Sequence, residues 1–173
     1  MELVEPSLRY AESFLEAMEE FSDRPVAGAF SYRDQSLVDY LESLRKEASG
    51  IDLPEGHIPA TTFWLVEDGE YIGHVQIRHR LTTSLEKLGG HIGYAVRPSC
   101  HGRGYGTKML ALALERAGAL GIKRALVTCD KDNAASRRII EKNGGVLWDE
   151  VWNEGKTVPS LRFWIDLTNY SKN

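Results

Sequence analysis

The chain has 173 residues, of which 42% are hydrophobic and 27% charged, a composition that fits one globular domain over residues 1–173. A net charge of −4 disfavours nucleic acid or an anionic membrane surface as a partner, because such surfaces usually attract a basic excess. Two cysteines are too few for a disulfide framework, and no run approaches the roughly 20 apolar residues of a membrane span. The start of the chain lacks the apolar core of a signal peptide, so we expect a cytoplasmic protein.

The first half of the chain predicts a short strand, two helices and a β-hairpin. Residues 1–6 favour an edge strand, and Ser7 is predicted to cap a helix whose apolar side chains recur at helical spacing. These side chains are Tyr10, Phe14, Ala17 and Phe21. A second helical stripe ends near Gly50, and the following segment to residue 60, rich in proline and glycine, predicts a loop. Residues 61–66 and 71–80 flank the turn EDGE and predict the hairpin.

The second half predicts strands that alternate with helices. After a connection at 81–90, the stretch HIGYAVR predicts a strand, and a glycine-rich turn leads into a helix that ends at about Leu120. Residues 123–129 predict a strand, and Asp132 or Asn133 is predicted to cap a short helix closed by Gly144. Two final strands surround the turn EGKTVP. The order β-α-α-β-β-β-α-β-α-β-β predicts an α/β (α+β) fold with a mixed sheet and packed helices.

The turn CHGRGYG has glycine at alternate positions between a strand and a helix. Glycine permits positive φ, and a helix N-terminus has unpaired N–H groups and a partial positive charge. Together they predict an anion site, most often for phosphate, at the N–H groups of Gly102 to Thr107. A plain tight turn is the alternative. The P-loop pattern does not fit, and the dinucleotide pattern would need its third glycine at Thr107.

Two motifs in this half resemble those of the GCN5-related N-acetyltransferase (GNAT) superfamily. The family pattern [RQ]-x-x-G-x-[GA] corresponds to residues 101–106, with His101 in place of the usual Arg or Gln. The second element, Asn-x-x-Ser, is matched by Asn133 and Ser136 and is followed by Lys142 and the pair Gly144–Gly145. The sequence also looks like an uncharacterised bacterial acetyltransferase group in which GGHIGY, the dipeptide RP and NGG recur. The resemblance covers nearly the whole chain.

This resemblance implies the fold and the cofactor. It implies a mostly antiparallel sheet of six or seven strands with helices on both faces, and acetyl-CoA as co-substrate without a metal. Amides of the turn would hold the pyrophosphate, and the pantetheine arm would lie between the fourth strand and the splayed fifth. The implied cofactor-binding residues are Val96, Pro98, His101, Gly102, Arg103, Gly104, Tyr105, Gly106, Thr107, Asn133 and Ser136. For Asn133 and Ser136, simple helix capping is a compatible alternative.

The resemblance also implies catalytic candidates. An amine with a pKa of about 10.4 must lose a proton before it attacks a thioester. His91 stands where several members have a glutamate base, so we expect His91 as general base, against a structural histidine as the alternative. Asn133 is the second candidate. The tyrosine acid of the family is absent, because its position is Ile140. A covalent route through Cys129 is less favoured than a buried thiol.

The acceptor is predicted to be an amine of a small molecule or peptide, acetylated by direct attack in a ternary complex. Acidic side chains on the first two helices suit an amine, although a solvated face explains them as well. They are Glu12, Glu16, Glu19, Glu20, Asp23, Glu42 and Glu47. His74, Gln76 and Arg78 share a strand face beside this region, with a solvated face again the alternative.

Two other functions and the assembly stay open at this point. A non-catalytic acyl-CoA-binding module fits the missing tyrosine, and binding of another phosphate ligand such as a nucleotide is a weaker option. The four tryptophans predict core or dimer contacts, and a homodimer is expected.

Overall fold

The computed structural model describes residues 1–29, 32 and 35–168. The strands are β1 (Glu2–Val4), β2 (Ala60–Glu67), β3 (Glu70–Arg78), β4 (Ile92–Val96), β5 (Arg124–Asp130), β6 (Val146–Val151) and β7 (Ser160–Asp166). The α-helices are α1 (Ala11–Asp23), α2 (Leu37–Ser49), α3 (Thr83–Lys87), α4 (Tyr105–Ala119) and α5 (Ala134–Lys142). The predicted element order is confirmed with one addition, the short α3 in the stretch predicted only as a connection. Thr82 caps α3 by accepting a hydrogen bond from the Leu85 N–H group.

The seven strands form a mixed sheet in the order β1-β2-β3-β4-β5-β7-β6. β1 pairs with β2, and β5 and β6 pair with β7, in antiparallel ladders, whereas β4 and β5 are parallel. The predicted α/β class and its mostly antiparallel sheet are therefore confirmed. No helix in residues 1–29 and 35–168 is long and apolar enough to cross a membrane.

The chain divides into two compact units, Met1–Gln76 with Tyr94–Tyr105 and Ile77–Gly93 with Gly106–Asn173. The single domain expected from the chain length therefore stays a prediction.

The first unit has an aromatic core between its helices and strands. Phe14 of α1 stacks on Trp64 of β2 with ring centroids 4.4 Å apart and meets Tyr71 edge-to-face at 5.3 Å. Each such pair adds about 0.5–1.5 kcal/mol beyond the burial of its area. The predicted stripe of α1 is buried as expected. The predicted cap is wrong: Ser7 makes no capping hydrogen bond, because residues Leu8–Tyr10 form a 3₁₀ turn before α1 begins.

The second unit contains most of α4, all of β5, and α5, β6 and β7. Residues 125–127 of β5 are fully buried, and β5 pairs with β7 from Arg124 opposite Asp166 to Asp130 opposite Ser160. The tryptophans were predicted to make core or dimer contacts. Trp64 is fully buried in the core, whereas Trp148 and Trp152 near β6 are 55% and 68% exposed. These two side chains leave the β6 end of the sheet apolar.

Candidate active site

The glycine-rich turn after β4 has an open surface. A 3₁₀ turn, Pro98–Cys100, precedes it, and α4 begins directly after it at Tyr105. Gly102 and Gly104 have φ of 75° and 84°, values that favour glycine. A Cβ atom on either residue would meet no atom within 4 Å. These glycines are thus required by the backbone conformation, and they leave the surface of the turn free to receive a ligand.

Backbone donors of this turn are unpaired. The N–H groups of Cys100 and His101 donate to carbonyls of Arg97 and Pro98. Among the residues that the structure describes, the N–H groups of Gly102, Arg103 and Gly104 have no acceptor. The first turn of α4 adds further N–H groups that no helical carbonyl can reach, at the positive end of the helix dipole. This is the chemistry of an anion site for phosphate.

Glu20 of α1 holds the entry of the turn. Its carboxylate accepts hydrogen bonds from the Arg97 Nε–H group at 2.7 Å, the Ser99 N–H group at 2.9 Å and the Ser99 hydroxyl at 3.0 Å. These hydrogen bonds outweigh desolvation and lower the pKa of Glu20, so Glu20 is ionised at neutral pH. Arg97 also donates to Ser13 at 3.2 Å and Glu16 at 3.3 Å. Sequence reasoning missed this cluster because Glu20 lies 79 positions before Ser99.

Tyr105 and His101 fix the rest of the turn. The Tyr105 hydroxyl donates to Glu67 of β2 at 2.5 Å, which raises the pKa of Tyr105, and the Arg103 guanidinium lies 5.1 Å from the Tyr105 ring centroid. The His101 Nε2–H group donates to the Val96 carbonyl at 2.8 Å. The His101 side chain and the Val96 carbonyl are therefore already paired with each other, and the N–H groups of the turn remain the donors for a ligand.

His91 has the environment of a structural histidine. It is 7% exposed, and its Nδ1 accepts a hydrogen bond at 2.9 Å from the N–H group of Leu126 in β5. The backbone N–H group of His91 donates to the Leu126 carbonyl at 2.7 Å. Burial, and then the charge of Arg78, lower the pKa of His91 to about 4. Because the Nδ1 lone pair is already used, these contacts weigh against His91 as general base, a role that stays a prediction.

Asn133 and Ser136 meet at the start of α5. The Asn133 Oδ1 atom caps α5 by accepting from the Ser136 N–H group at 3.0 Å, as the capping alternative expects. The Ser136 side chain makes a hydrogen bond with the Cys129 thiol, and burial raises the pKa of that thiol to about 11. A thiol with that pKa is a poor nucleophile at neutral pH.

The position of the family's tyrosine acid is a packing position here. Ile140 is fully buried, and a Cβ atom on Gly145 would lie 2.4 Å from an Ile140 methyl group. The second glycine of the NGG motif is thus required by the close approach of Ile140.

The strand face proposed for the acceptor is used for internal contacts. His74 is 2% exposed, with Nδ1 2.5 Å from the Tyr71 hydroxyl, and its pKa is lowered to about 4 by burial. Gln76 donates to Glu47, and Arg78 donates to the carbonyls of Gly89 and Gly90. These internal contacts weigh against an acceptor face made of His74, Gln76 and Arg78, which stays a prediction.

Part of the acidic surface is neutralised. Glu16 and Glu20 pair with Arg97, and Glu42 pairs with Lys46. An open groove of about 310 Å³ beside α1 keeps an acidic lining. Its lining residues are Arg9, Tyr10, Glu12, Ser13, Glu16, Gly69 and Glu70. Within the described residues, no group of three or more His, Cys, Asp or Glu side chains is arranged to hold a metal.

The predicted site residues fall in both units. The first unit holds residues 96–105, and the second holds His91, Gly106, Thr107, Asn133 and Ser136. The structure thus brings the turn residues together, and Asn133 with Ser136.

A protein-family model, the acetyltransferase (GNAT) domain, matches residues 4–146. The chain belongs to the GNAT family. It is therefore an N-acetyltransferase by family, as the two motifs predicted. No curated protein matches the sequence.

Solved GNAT structures share the fold. RimJ of Mycobacterium smegmatis, in complex with CoA-disulfide, is 20% identical with a TM-score of 0.70, over 95% of this chain and 80% of that one. The microcin self-immunity acetyltransferase MccE, in complex with acetyl-CoA and AMP, is 18% identical with a TM-score of 0.68, over 95% and 91%. A mutant of the spermidine N-acetyltransferase SpeG of Vibrio cholerae is 15% identical with a TM-score of 0.65, over 99% and 98%.

Proposed function

We propose that this GNAT protein transfers the acetyl group of acetyl-CoA to an amine of a small molecule or peptide, by direct attack in a ternary complex. The observation that carries this proposal is the turn before α4, which has two glycines at positive φ and three N–H groups that find no acceptor in the described part of the chain. Donors of this kind at a helix N-terminus suit a pyrophosphate. Solved relatives with the same fold hold acetyl-CoA or CoA, which supports the same ligand here.

The cofactor would follow the chain from the turn back along β4. The N–H groups of Gly102 to Thr107 would hold the pyrophosphate, and the backbone near Val96 and Pro98 would meet the pantetheine arm. Ile92 of β4 lies opposite Val127 of β5 in the parallel ladder. An extended pantetheine arm would add to β4 as a further strand does. Acetyl transfer by this route uses no metal.

The transfer itself needs a neutral amine. The nitrogen lone pair attacks the thioester carbonyl, and the C–S bond breaks as the C–N bond becomes an amide. One proton must leave the ammonium before attack and another leaves after it, while the departing thiolate can take up one. With the His91 Nδ1 lone pair engaged and Ile140 in place of the tyrosine acid, we propose that water carries these protons to and from solvent. A catalytic contact of Asn133 with the substrates stays a prediction.

The class of the acceptor follows from charge. The groove beside α1 has three carboxylates, those of Glu12, Glu16 and Glu70, and one guanidinium, that of Arg9. Two of these carboxylates also pair with Arg97, Glu16 at 3.3 Å and Glu70 at 3.9 Å, so Glu12 is the lining carboxylate without an ion pair among the described residues. Acidic surfaces attract cationic amines and raise their local concentration. One structural relative is a spermidine N-acetyltransferase, which supports a polyamine in the first set of amines to be tested.

A non-catalytic acyl-CoA-binding module is the second candidate. Two observations favour it: the buried Ile140 at the position of the acid, and the hydrogen bond that occupies His91. Such a module would keep the phosphate-binding turn and lack turnover.

The test is acetyl transfer to a panel of amines, with the free thiol of CoA measured as product. The panel holds polyamines, aminoglycosides and peptides with a free N-terminus or lysine. We expect thiol release that depends on one class of amine, with the His91→Asn variant retaining most of it. If a folded His91→Asn variant lost turnover, that result would favour His91 as the general base. CoA binding without release for any amine would favour the binding module.

Two further expectations remain proposals. The exposed Trp148 and Trp152 support a homodimer through the β6 end of the sheet, and light scattering in solution tests it. The cytoplasm is the location that the sequence predicts.

A further inference from the structure

The glycine-rich turn is held at both ends by carboxylates. At its entry, Glu20 of α1 accepts two hydrogen bonds from Ser99 and one from Arg97. At its exit, Glu67 of β2 accepts a hydrogen bond from the Tyr105 hydroxyl. The stretch between Ser99 and Tyr105 contains the three N–H groups without an acceptor.

Glu20 is the stronger of the two anchors. All three of its hydrogen bonds are 3.0 Å or shorter, and two of them come from Ser99, in the 3₁₀ turn that leads into the glycine-rich turn. Its side chain is 22% exposed and that of Arg97 is 13% exposed, so the pair is largely shielded from solvent. Charge-assisted hydrogen bonds of this kind are roughly twice as strong as neutral ones.

A negative side chain near a phosphate site needs a reason, because a carboxylate repels the anion that the turn would bind. Here the Glu20 carboxylate pairs with two guanidiniums, Arg97 at 2.7 Å and Arg24 at 3.9 Å, although Arg97 also pairs with Glu16 and Glu70. These ion pairs reduce the repulsion between Glu20 and a bound phosphate, and the hydrogen bonds of Glu20 hold the backbone at the entry of the turn. A turn with several glycines has many accessible conformations, and its N–H groups converge on an anion only when that freedom is removed beforehand.

We propose that Glu20 is a positioning residue for the co-substrate: by holding Ser99 and Arg97, it fixes the glycine turn in the conformation that binds the pyrophosphate. The inference rests on the proposed function, since it assumes that the turn binds acetyl-CoA. Tyr105 and Glu67 assist at the other end of the turn. The affinity for acetyl-CoA thus depends on a helix that lies far from the turn in sequence.

The test is calorimetric titration of acetyl-CoA into the native protein and four variants, at a temperature where all are folded. Glu20→Ala removes every side-chain hydrogen bond of this residue, and Glu20→Gln keeps one acceptor oxygen for Ser99. Tyr105→Phe removes one hydroxyl and keeps the ring. Glu115→Ala, at an exposed glutamate of α4 whose side chain makes no hydrogen bond or ion pair within the described residues, is the matched control.

We expect the Kd to rise about tenfold in Glu20→Ala, about threefold in Glu20→Gln and Tyr105→Phe, and not at all in Glu115→Ala. A role in stability alone would lower the melting temperature and leave the Kd of the folded protein unchanged. A Kd for Glu20→Gln between those of the native protein and Glu20→Ala would therefore indicate positioning rather than a role in stability alone.

Two results would overturn the proposal in different ways. If the native protein binds acetyl-CoA and Glu20→Ala binds it equally well, Glu20 has no positioning role, and the proposed function stands. If the native protein does not bind acetyl-CoA, the proposed function fails and the inference falls with it.

Discussion

Two glycine-containing segments flank β4, and they use glycine for different reasons. Before β4, Gly90 has φ of 63°, and a Cβ atom there would lie 2.4 Å from the Leu126 carbonyl oxygen. After β4, Gly102 and Gly104 have similar φ, but a Cβ atom on either would meet nothing within 4 Å. The first segment needs glycine because its backbone lies against the backbone of β5. The second needs glycine because the turn has positive φ, and its surface is open. An open turn with donors unpaired among the described residues favours a ligand site, whereas a packed turn reflects a constraint of the fold.

The largest expected effect is on stability, from the Gly90→Ala variant. The added methyl group would both strain a left-handed backbone and collide with the carbonyl of Leu126, so we expect a loss of about 3 kcal/mol in the free energy of unfolding. Gly56→Ala is the matched control, because Gly56 has φ of 80° and open space. Denaturation in urea measures both variants. Equal losses would show that the close approach at Gly90 does not matter.

The next effect concerns the His91 side chain, which completes the packed segment. In the His91→Ala variant, the N–H group of Leu126 loses its acceptor in a buried position, and we expect a loss of roughly 1–3 kcal/mol in stability. His91→Asn retains an acceptor oxygen and should lose less. The same urea titration applies. A His91→Ala protein as stable as the native one would contradict the structural role assigned to this imidazole.

The third effect is a pH dependence of stability. His91 and His74 each have a pKa of about 4 in the folded protein, below the ordinary value of 6.5. Between pH 6.5 and 4 the unfolded chain binds more protons than the folded one, so stability is complete above pH 6.5 and falls as the pH drops through this window. Urea titrations at several pH values should show a smaller fall in His91→Asn than in the native protein. An identical fall in both would mean that His91 is not buried in its neutral form.

The sequence predicts the fold well because its signals are local. Periodicity predicts α1 from its apolar stripe, and capping chemistry predicts the end of α2 at Gly50 and the start of α5 at Asn133. Motif order and spacing predicted the GNAT family for the same reason. The failed cap at Ser7 shows the limit, because the residues that follow form a 3₁₀ turn before the helix.

The candidate site is predicted only in part. The glycine turn is contiguous in sequence and so could be found. The hydrogen bonds of Glu20 and His91 could not be found, because each depends on a partner far along the chain: Ser99 for Glu20 and Leu126 for His91. A histidine that accepts a backbone N–H group and a histidine that accepts a substrate proton look alike in the sequence.

The central claim is that the open glycine turn binds the pyrophosphate of acetyl-CoA. The most direct measurement is calorimetric titration of acetyl-CoA into the native protein, Gly104→Glu and Gly121→Glu. Gly121 after α4 has the same φ of 84° and the same open space, so its variant carries the same strain and charge away from the turn. We predict that the native protein and Gly121→Glu bind acetyl-CoA and that Gly104→Glu does not. Equal binding by all three proteins, or by none, would contradict the claim.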